Sequence, residues 1–327
     1  MKTVELRTIM EKKWERRDEL ISLGASLHAC GNAFHVGEVS FGCRDCFSGE
    51  ASINLFVGTK CMFKCPYCYY DPDRNDDMLL SELSKEVEFT AYKLKEMDNY
   101  RPCIISYCSA GETLLYIDIL ERAAGRIYPL IVQKGIRPYS FLYTNGVLAD
   151  ERMIERLSGM GVNEIRFHLS ASDFSESVLE NMRLAKKLGM LITVEEPSNP
   201  LNREKLLSLL PVFEEMGLDH LDMIEMRLTA ENIATLENIF PGDEYCCYKD
   251  FYYHLYDNGL VCDIMEEVLI RGYSFSVMDC NSAVERCRNN VDQDVRFSWE
   301  SIEGLCKNRD PGSGFSPRLK NGRPYRG

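Results

Sequence analysis

Between residues 51 and 227 the chain alternates short apolar stretches with longer segments of helical periodicity, an order that leaves few folds open. Strands are predicted at 51–57, 103–108, 140–144, 164–170, 190–197 and 220–227, and helices at 81–98, 115–134, 153–160, 174–188 and 202–216. The first of these helices offers Leu83, Val87, Phe89, Leu94 and Met97 for an inner face. Strand, helix and strand in succession form the βαβ unit, which buries a parallel sheet under its helices. In strand–helix barrels, side chains that do chemistry stand at the C-terminal ends of the strands.

The loop after the first predicted strand reads Cys61-Met62-Phe63-Lys64-Cys65-Pro66-Tyr67-Cys68, a C-x3-C-x2-C spacing. Thiolates this close on one loop can converge on an iron–sulfur cube, and a cube with one iron lacking a cysteine keeps a position open for another ligand. Pro66 biases Cys65 away from helical backbone, which helps the loop wrap. Taken alone, the spacing is also that of a zinc site or a small disulfide motif. Fourteen cysteines in a chain whose N-terminus has no apolar signal core favour metal ligation over disulfides and a cytoplasmic address. Hydrophobic and charged shares of 45% and 27% are those of a globular chain. No apolar run reaches the roughly eighteen residues a membrane span needs, so no membrane partner is expected. A net charge of −13 disfavours nucleic acid, because there is no excess of Lys and Arg to neutralise phosphates.

With Tyr67 directly before the last cysteine, and with the loop following a strand at the head of the alternation, the segment resembles the radical S-adenosylmethionine (radical SAM) superfamily. The resemblance implies an α/β fold, a partial (β/α)6 TIM-type barrel. It also implies that Cys61, Cys65 and Cys68 hold a [4Fe–4S] cluster whose open iron binds S-adenosyl-L-methionine, with Tyr67 beside that cofactor. Ala110-Gly111-Glu112-Thr113, at the end of the second strand, resembles the family's Gly-Gly-Glu-Pro segment, which binds the cofactor's amino group. A small residue and a glycine let backbone carbonyls approach an ammonium, and a carboxylate adds charge. Ala110 departs from the first glycine and Thr113 from the proline. Ser170 and Ser172 match the place where family members set a serine near the methionyl carboxylate or ribose, and of Glu195 and Glu196, at the end of the fifth strand, one, taken as Glu195, would accept from ribose hydroxyls while the other caps the loop. Two further side chains are candidates for catalysis. His168 shares a strand face with Arg166 and Ser170 and reads as a proton donor or substrate contact, or else as a satisfied core histidine. Cys108 reads as a hydrogen donor to a product radical, or else as a core thiol. Asn145-Gly146 reads as a turn.

The implied activity is reductive cleavage of S-adenosylmethionine to a 5′-deoxyadenosyl radical that takes a hydrogen from a substrate. An electron donor such as flavodoxin or ferredoxin would serve it. The aromatic and cysteine-rich flanks favour a peptide or protein substrate; activation of a glycyl-radical enzyme and a small-molecule substrate are the alternatives. No separate leader-peptide-binding module is evident at either end. The rival from another class is a non-catalytic zinc or iron–sulfur protein with a fully ligated site.

Around the radical SAM barrel, placed at 51–240, the expected divisions are an N-terminal helix and cysteine-rich segment (1–50), an aromatic and cysteine-containing extension (241–306) and a mobile tail (307–327). Residues 4–23 read as one helix, with Leu6, Ile9, Met10, Ile21 and Leu23 at helical intervals and Trp14 as a docking point. Cys30, Cys43 and Cys46, with His28 and His35 nearby, are candidate ligands of an auxiliary [4Fe–4S] cluster or zinc, or else free thiols at the mouth of the main site. Cys247, Cys262, Cys280 and Cys287 do not reproduce the C-x2-C element of known cluster-binding extensions.

Overall fold

The computed structural model describes residues 1–4, 6–28, 33–43, 52–70, 76–229, 232–248 and 252–281. Cys30, Cys46, Cys287 and the segment 307–327 lie outside them.

The six predicted strands form within a few residues of their expected limits: β4 (Ser52–Val57), β5 (Ile104–Ser109), β6 (Tyr139–Thr144), β7 (Glu164–Phe167), β8 (Leu191–Ser198) and β9 (His220–Glu225). They pair in parallel and in sequence order. The sheet then continues into the irregular N-terminal stretch and the C-terminal extension. β13 (Ser276–Cys280) adds in parallel to β9; β3 (Ala33–Val36) pairs antiparallel with β13, and β2 (Ser26–His28) with β3. The nine strands run in the order β2-β3-β13-β9-β8-β7-β6-β5-β4, so β4 and β2 are edges and the barrel is open. A second sheet, of four strands, joins β1 (Lys2–Val4), β11 (Glu244–Tyr248), β12 (Tyr252–Leu255) and β10 (Arg227–Leu228).

Helices cover the outer face because their apolar residues recur on one side. In Ile117–Gln133, Ile117, Leu120, Ala124, Ile127 and Ile131 are all buried at spacings of three or four. Each buried Ile or Leu there contributes about 1.5–3 kcal/mol. Glu151–Gly159 starts at Asp150, whose side chain accepts from the Met153 amide at 2.8 Å, and Arg203–Met216 stops at Gly217, which takes the left-handed conformation (φ 71°). The N-terminal segment is two helices, not one: Leu6–Glu15 and Arg17–Leu23 meet at Arg16, whose guanidinium bonds Asp263 and Glu266 of the helix Leu260–Arg271. Lys13 is also buried, with Nζ 3.2 Å from Asp279 of β13. Burial would lower its pKa, but Asp279, Asp257 and Glu225 outweigh that and raise it. Among the described residues no helix is long and apolar enough to cross a membrane.

The inner face of the barrel is polar. On β7, Glu164 and Arg166 share the face turned away from the covering helices, opposite Thr193 and Glu195 of β8 and His220 and Asp222 of β9. Arg166 is 4% exposed; its guanidinium lies 2.9 Å from Glu164, 3.1 Å from Glu195 and 3.5 Å from Asp222. Its carbon is 4.1 Å from the centre of the Phe141 ring. Burial alone would push Glu164 up, but Arg166 and hydrogen bonds from Thr193 and Tyr139 hold it below the usual carboxylate range. Glu195 and Asp222, sharing the same guanidinium, are pushed up by burial to about 7 and about 6.

The segment Ser40–Cys43 closes this interior. Ser40 Oγ accepts from Arg166 Nη2 at 2.9 Å, and the Phe41 ring packs 5.1 Å from Tyr139. A Cβ on Gly42 would stand 2.7 Å from Arg166 Nη2 and 2.8 Å from the Phe141 ring, so only glycine fits there.

Removing one partner of a buried ion pair leaves the others uncompensated. Arg166→Ala is expected to lower the unfolding free energy by about 3–5 kcal/mol, read as a drop in urea midpoint. Glu195 gives a pH signature of definite sign. A carboxyl raised in the fold binds its proton more tightly native than unfolded, so stability falls as pH rises from its ordinary value of 4.5 through about 7. Glu195→Gln is expected to remove that part of the decline, so that the urea midpoints at about pH 5 and about pH 8 differ less than in the wild type.

Candidate functional site

The cysteine loop leaves the C-terminal end of β4. The Cys68 amide donates to the Cys65 carbonyl at 3.0 Å, closing a tight turn across Pro66-Tyr67, and the Phe63 amide points to Cys61 Sγ at 3.5 Å. Cys61 and Cys68 are exposed and Cys65 is half-buried. Burial, together with the neighbouring Cys68 and Cys61 thiols, pushes the Cys65 thiol up to about 11. Burial also raises Cys68, with Cys61 adding to the rise. Thiols that disfavour one another as anions gain most when a cation replaces their protons. Among the described residues no three His, Cys, Asp or Glu side chains are gathered tightly enough to hold a single metal ion. A cubane asks for something else, one thiolate on each of three irons.

The end of β5 lies along the base of this loop. The Ala110 amide donates to the Gly58 carbonyl at 3.0 Å and the Glu112 amide to the Lys60 carbonyl at 2.8 Å. Between them, a Cβ on Gly111 would stand 2.2 Å from Lys60 O and 2.5 Å from Thr59 O. The Glu112 carboxylate is turned into the protein. One oxygen accepts from Thr144 Oγ1 at 2.7 Å and from the Leu114 amide at 2.9 Å, and the other from the Asn145 amide at 2.7 Å. It ties β5 to β6 and caps the short turn Thr113–Tyr116, and burial raises its pKa. Asn145, expected only to turn the chain, is thus a partner of Glu112. Thr113 Oγ1 lies 3.2 Å from Ser109 Oγ.

Residues after β7 meet the loop from the other side. The Tyr67 hydroxyl lies 2.7 Å from Ser170 Oγ and 3.1 Å from His168 Nε2, while His168 Nδ1 lies 3.2 Å from the Glu195 carbonyl oxygen. Glu196 faces the opposite way and accepts from the Ser170 amide at 2.9 Å. Ser172 is turned back, donating to the Leu169 carbonyl at 3.0 Å. Cys108 is half-buried and sits opposite Phe56 in the register of β4 and β5.

The fold therefore brings Cys61, Cys65, Cys68, Tyr67, Ala110, Gly111, His168, Ser170 and, through its carbonyl, Glu195 to one end of the barrel. Cys43 goes elsewhere. Its thiol points into the interior, 3.1 Å from Asp222 Oδ2 and 3.3 Å from Arg166 Nη2. Asn232 was not singled out in the sequence. Its amide donates to the Tyr67 carbonyl at 3.1 Å from far along the chain, and no local pattern marks it.

Residues 55–194 match the family model of the Radical SAM superfamily. The chain is 23% identical over 199 residues to the PqqA peptide cyclase of Granulibacter bethesdensis, an alignment of 57% of this chain and 50% of that protein. The chain thus spans about half the length of that curated relative. Among solved structures, native anSMEcpe with bound AdoMet is 18% identical at a TM-score of 0.41, covering 53% of this chain and 51% of that one. Streptococcus suis SuiB is 12% identical at a TM-score of 0.49, covering 76% and 54%. The match to the Radical SAM family model runs from the end of β4 into β8, so the cysteine loop and the residues after β5 and β7 lie inside it.

Proposed function

We propose that the chain modifies a peptide by radical chemistry, with Cys61, Cys65 and Cys68 holding a [4Fe–4S] cluster at the mouth of the open barrel. The observation that carries this reading is the fit between the cysteine loop and Gly111, where the backbone of one strand end lies against the other too closely for any side chain. Exposed carbonyls, not side chains, are what an ammonium group needs there. When bound, the reduced cluster would split S-adenosylmethionine into methionine and a 5′-deoxyadenosyl radical able to take a hydrogen from an unactivated carbon.

The chain's own residues supply binding and orientation. Ala110 and Gly111 present backbone to the cofactor's amino group, and Glu112 acts through the backbone it fixes, since its carboxylate is taken up by Thr144, Asn145 and Leu114. Thr113 holds the same turn. Ser170 and the Glu195 carbonyl border the space where the carboxylate and ribose would lie, with the Tyr67 ring at its edge, and Ser172 would have to leave the Leu169 carbonyl to reach it. Cys108 faces the interior and is placed to return hydrogen to a product radical. The half-closed barrel excludes water, since Ser40–Cys43 and the Arg166 network fill its deep end. A peptide substrate is supported by the PqqA peptide cyclase relative. The polar interior suits one side chain of a longer molecule. A flavodoxin- or ferredoxin-class protein would supply the electron. An auxiliary cluster or zinc at Cys30, Cys43 and Cys46 would have to draw Cys43 away from Asp222 and Arg166.

After anaerobic reconstitution, the wild type is expected to carry about four irons that the combined Cys61→Ala/Cys65→Ala/Cys68→Ala variant lacks. Zinc lost in place of iron would refute the reading. Gly111→Ala is expected to cut 5′-deoxyadenosine formation by tenfold or more, because the new methyl must push the loop backbone away by about an ångström. Deuterium appearing in 5′-deoxyadenosine from a deuterated peptide pool, and not from a deuterated metabolite extract, is the outcome expected for a peptide substrate; the reverse would exclude it.

A further inference from the structure

Tyr67 sits between the second and third cysteines of the loop, and every polar group it offers beyond its own turn is held by a residue distant in sequence. Its hydroxyl bonds His168 and Ser170 after β7. Its carbonyl accepts from Asn232 Nδ2. Its ring packs against a separate apolar cluster formed by Met226, Leu228, Leu236, Phe240 and Leu255, which belongs to the small sheet and the helix Ile233–Ile239. All of that cluster lies outside the segment that matches the family model.

We propose that Asn232 and His168 are positioning residues that clamp Tyr67 from two sides, fixing where Cys65 and Cys68 point and so how firmly the loop retains its cluster. The inference rests on the cluster assignment above and extends it to the C-terminal part of the chain. Asn232 is 2% exposed and its amide is fully used: Oδ1 accepts from the Thr229 amide at 2.7 Å, and Nδ2 donates to the Arg227 carbonyl at 3.0 Å as well as to Tyr67. It is a rigid bracket built from one connection, and Tyr67 is its only bond to the cysteine loop among the described residues. His168 is equally committed. A carbonyl can only accept, so Nδ1 donates to Glu195 O. In the neutral ring Nε2 is then the acceptor, and the Tyr67 hydroxyl donates to it. With both nitrogens engaged, His168 acts through Tyr67.

The test uses the full-length chain, reconstituted anaerobically, and measures iron release to an excess of chelator together with the electron paramagnetic resonance spectrum of the reduced cluster. Asn232→Ala and His168→Leu are each expected to speed release about tenfold, the scale of one lost buried hydrogen bond, and to shift the spectrum. Tyr67→Phe, which deletes only the hydroxyl, is expected to match His168→Leu. His168→Gln, whose amide oxygen can still accept from Tyr67, is expected to restore most of the retention. Asn202→Ala serves as control: this buried asparagine donates to the Pro197 carbonyl at 3.2 Å, and its release rate is expected to equal the wild type's. Wild-type rates in both Asn232→Ala and His168→Leu, with about four irons present, would overturn the clamp and leave the cluster assignment standing. Equal acceleration in Asn202→Ala would overturn it as general loosening. A wild type that takes up no iron would overturn the cluster assignment itself.

Discussion

The continuation of the β4–β5 ladder beyond the sheet is the contact on which the site depends. Two amide-to-carbonyl bonds, Ala110 to Gly58 and Glu112 to Lys60, carry strand pairing into the base of the cysteine loop. They hold loop and turn at backbone distance only because Gly111 has no side chain. An otherwise free loop is thereby registered against the parallel sheet, and the thiols inherit the rigidity of the barrel. Glu112 extends the same logic one strand further by bonding the end of β6.

The interior of the barrel follows a different rule from its outer face. Outside, apolar side chains meet helices and stability comes from burial. Inside, one guanidinium is shared by Glu164, Glu195 and Asp222 and flanked by aromatic rings, an arrangement costly to desolvate and sensitive to the loss of any member. Its use is to fill and shape the deep end of an open barrel, with Ser40–Cys43 completing the floor. Charge and geometry are thereby fixed beneath the cysteine loop without occupying the mouth.

The N-terminal and C-terminal parts are more than flanks of the barrel. Lys13 reaches Asp279, Arg16 reaches Asp263 and Glu266, and Asn232 reaches the cysteine loop itself. The strands β2, β3 and β13 extend the same sheet as the six βα units. Contacts of this kind join residues more than a hundred positions apart, and no window of sequence contains both ends.

Local patterns carry what they physically can. Alternation of strand and helix, and the order of the six parallel strands, were legible because hydrophobic periodicity depends on near neighbours. The cysteine spacing was legible because its three residues lie within eight positions of the chain. Gly111, Ser170 and His168 lie beside the cysteine loop at the strand ends where the alternation puts them. Other features needed the tertiary structure. Glu112 and Glu195, alike in the sequence as carboxylates at strand ends, differ because one is saturated by backbone and hydroxyl donors while the other shares Arg166 inside the barrel. Cys43 was grouped with Cys30 and Cys46 by spacing, yet its thiol is directed inward to Asp222 and Arg166. Asn232 carried no signal at all. The sequence by itself determined the repeating units and the spacing of thiols on the loop, since both are set by residues in close succession. Only the tertiary structure decided which distant groups meet that loop, because burial and hydrogen-bond partnership arise when the sheet curls and its ends are brought together.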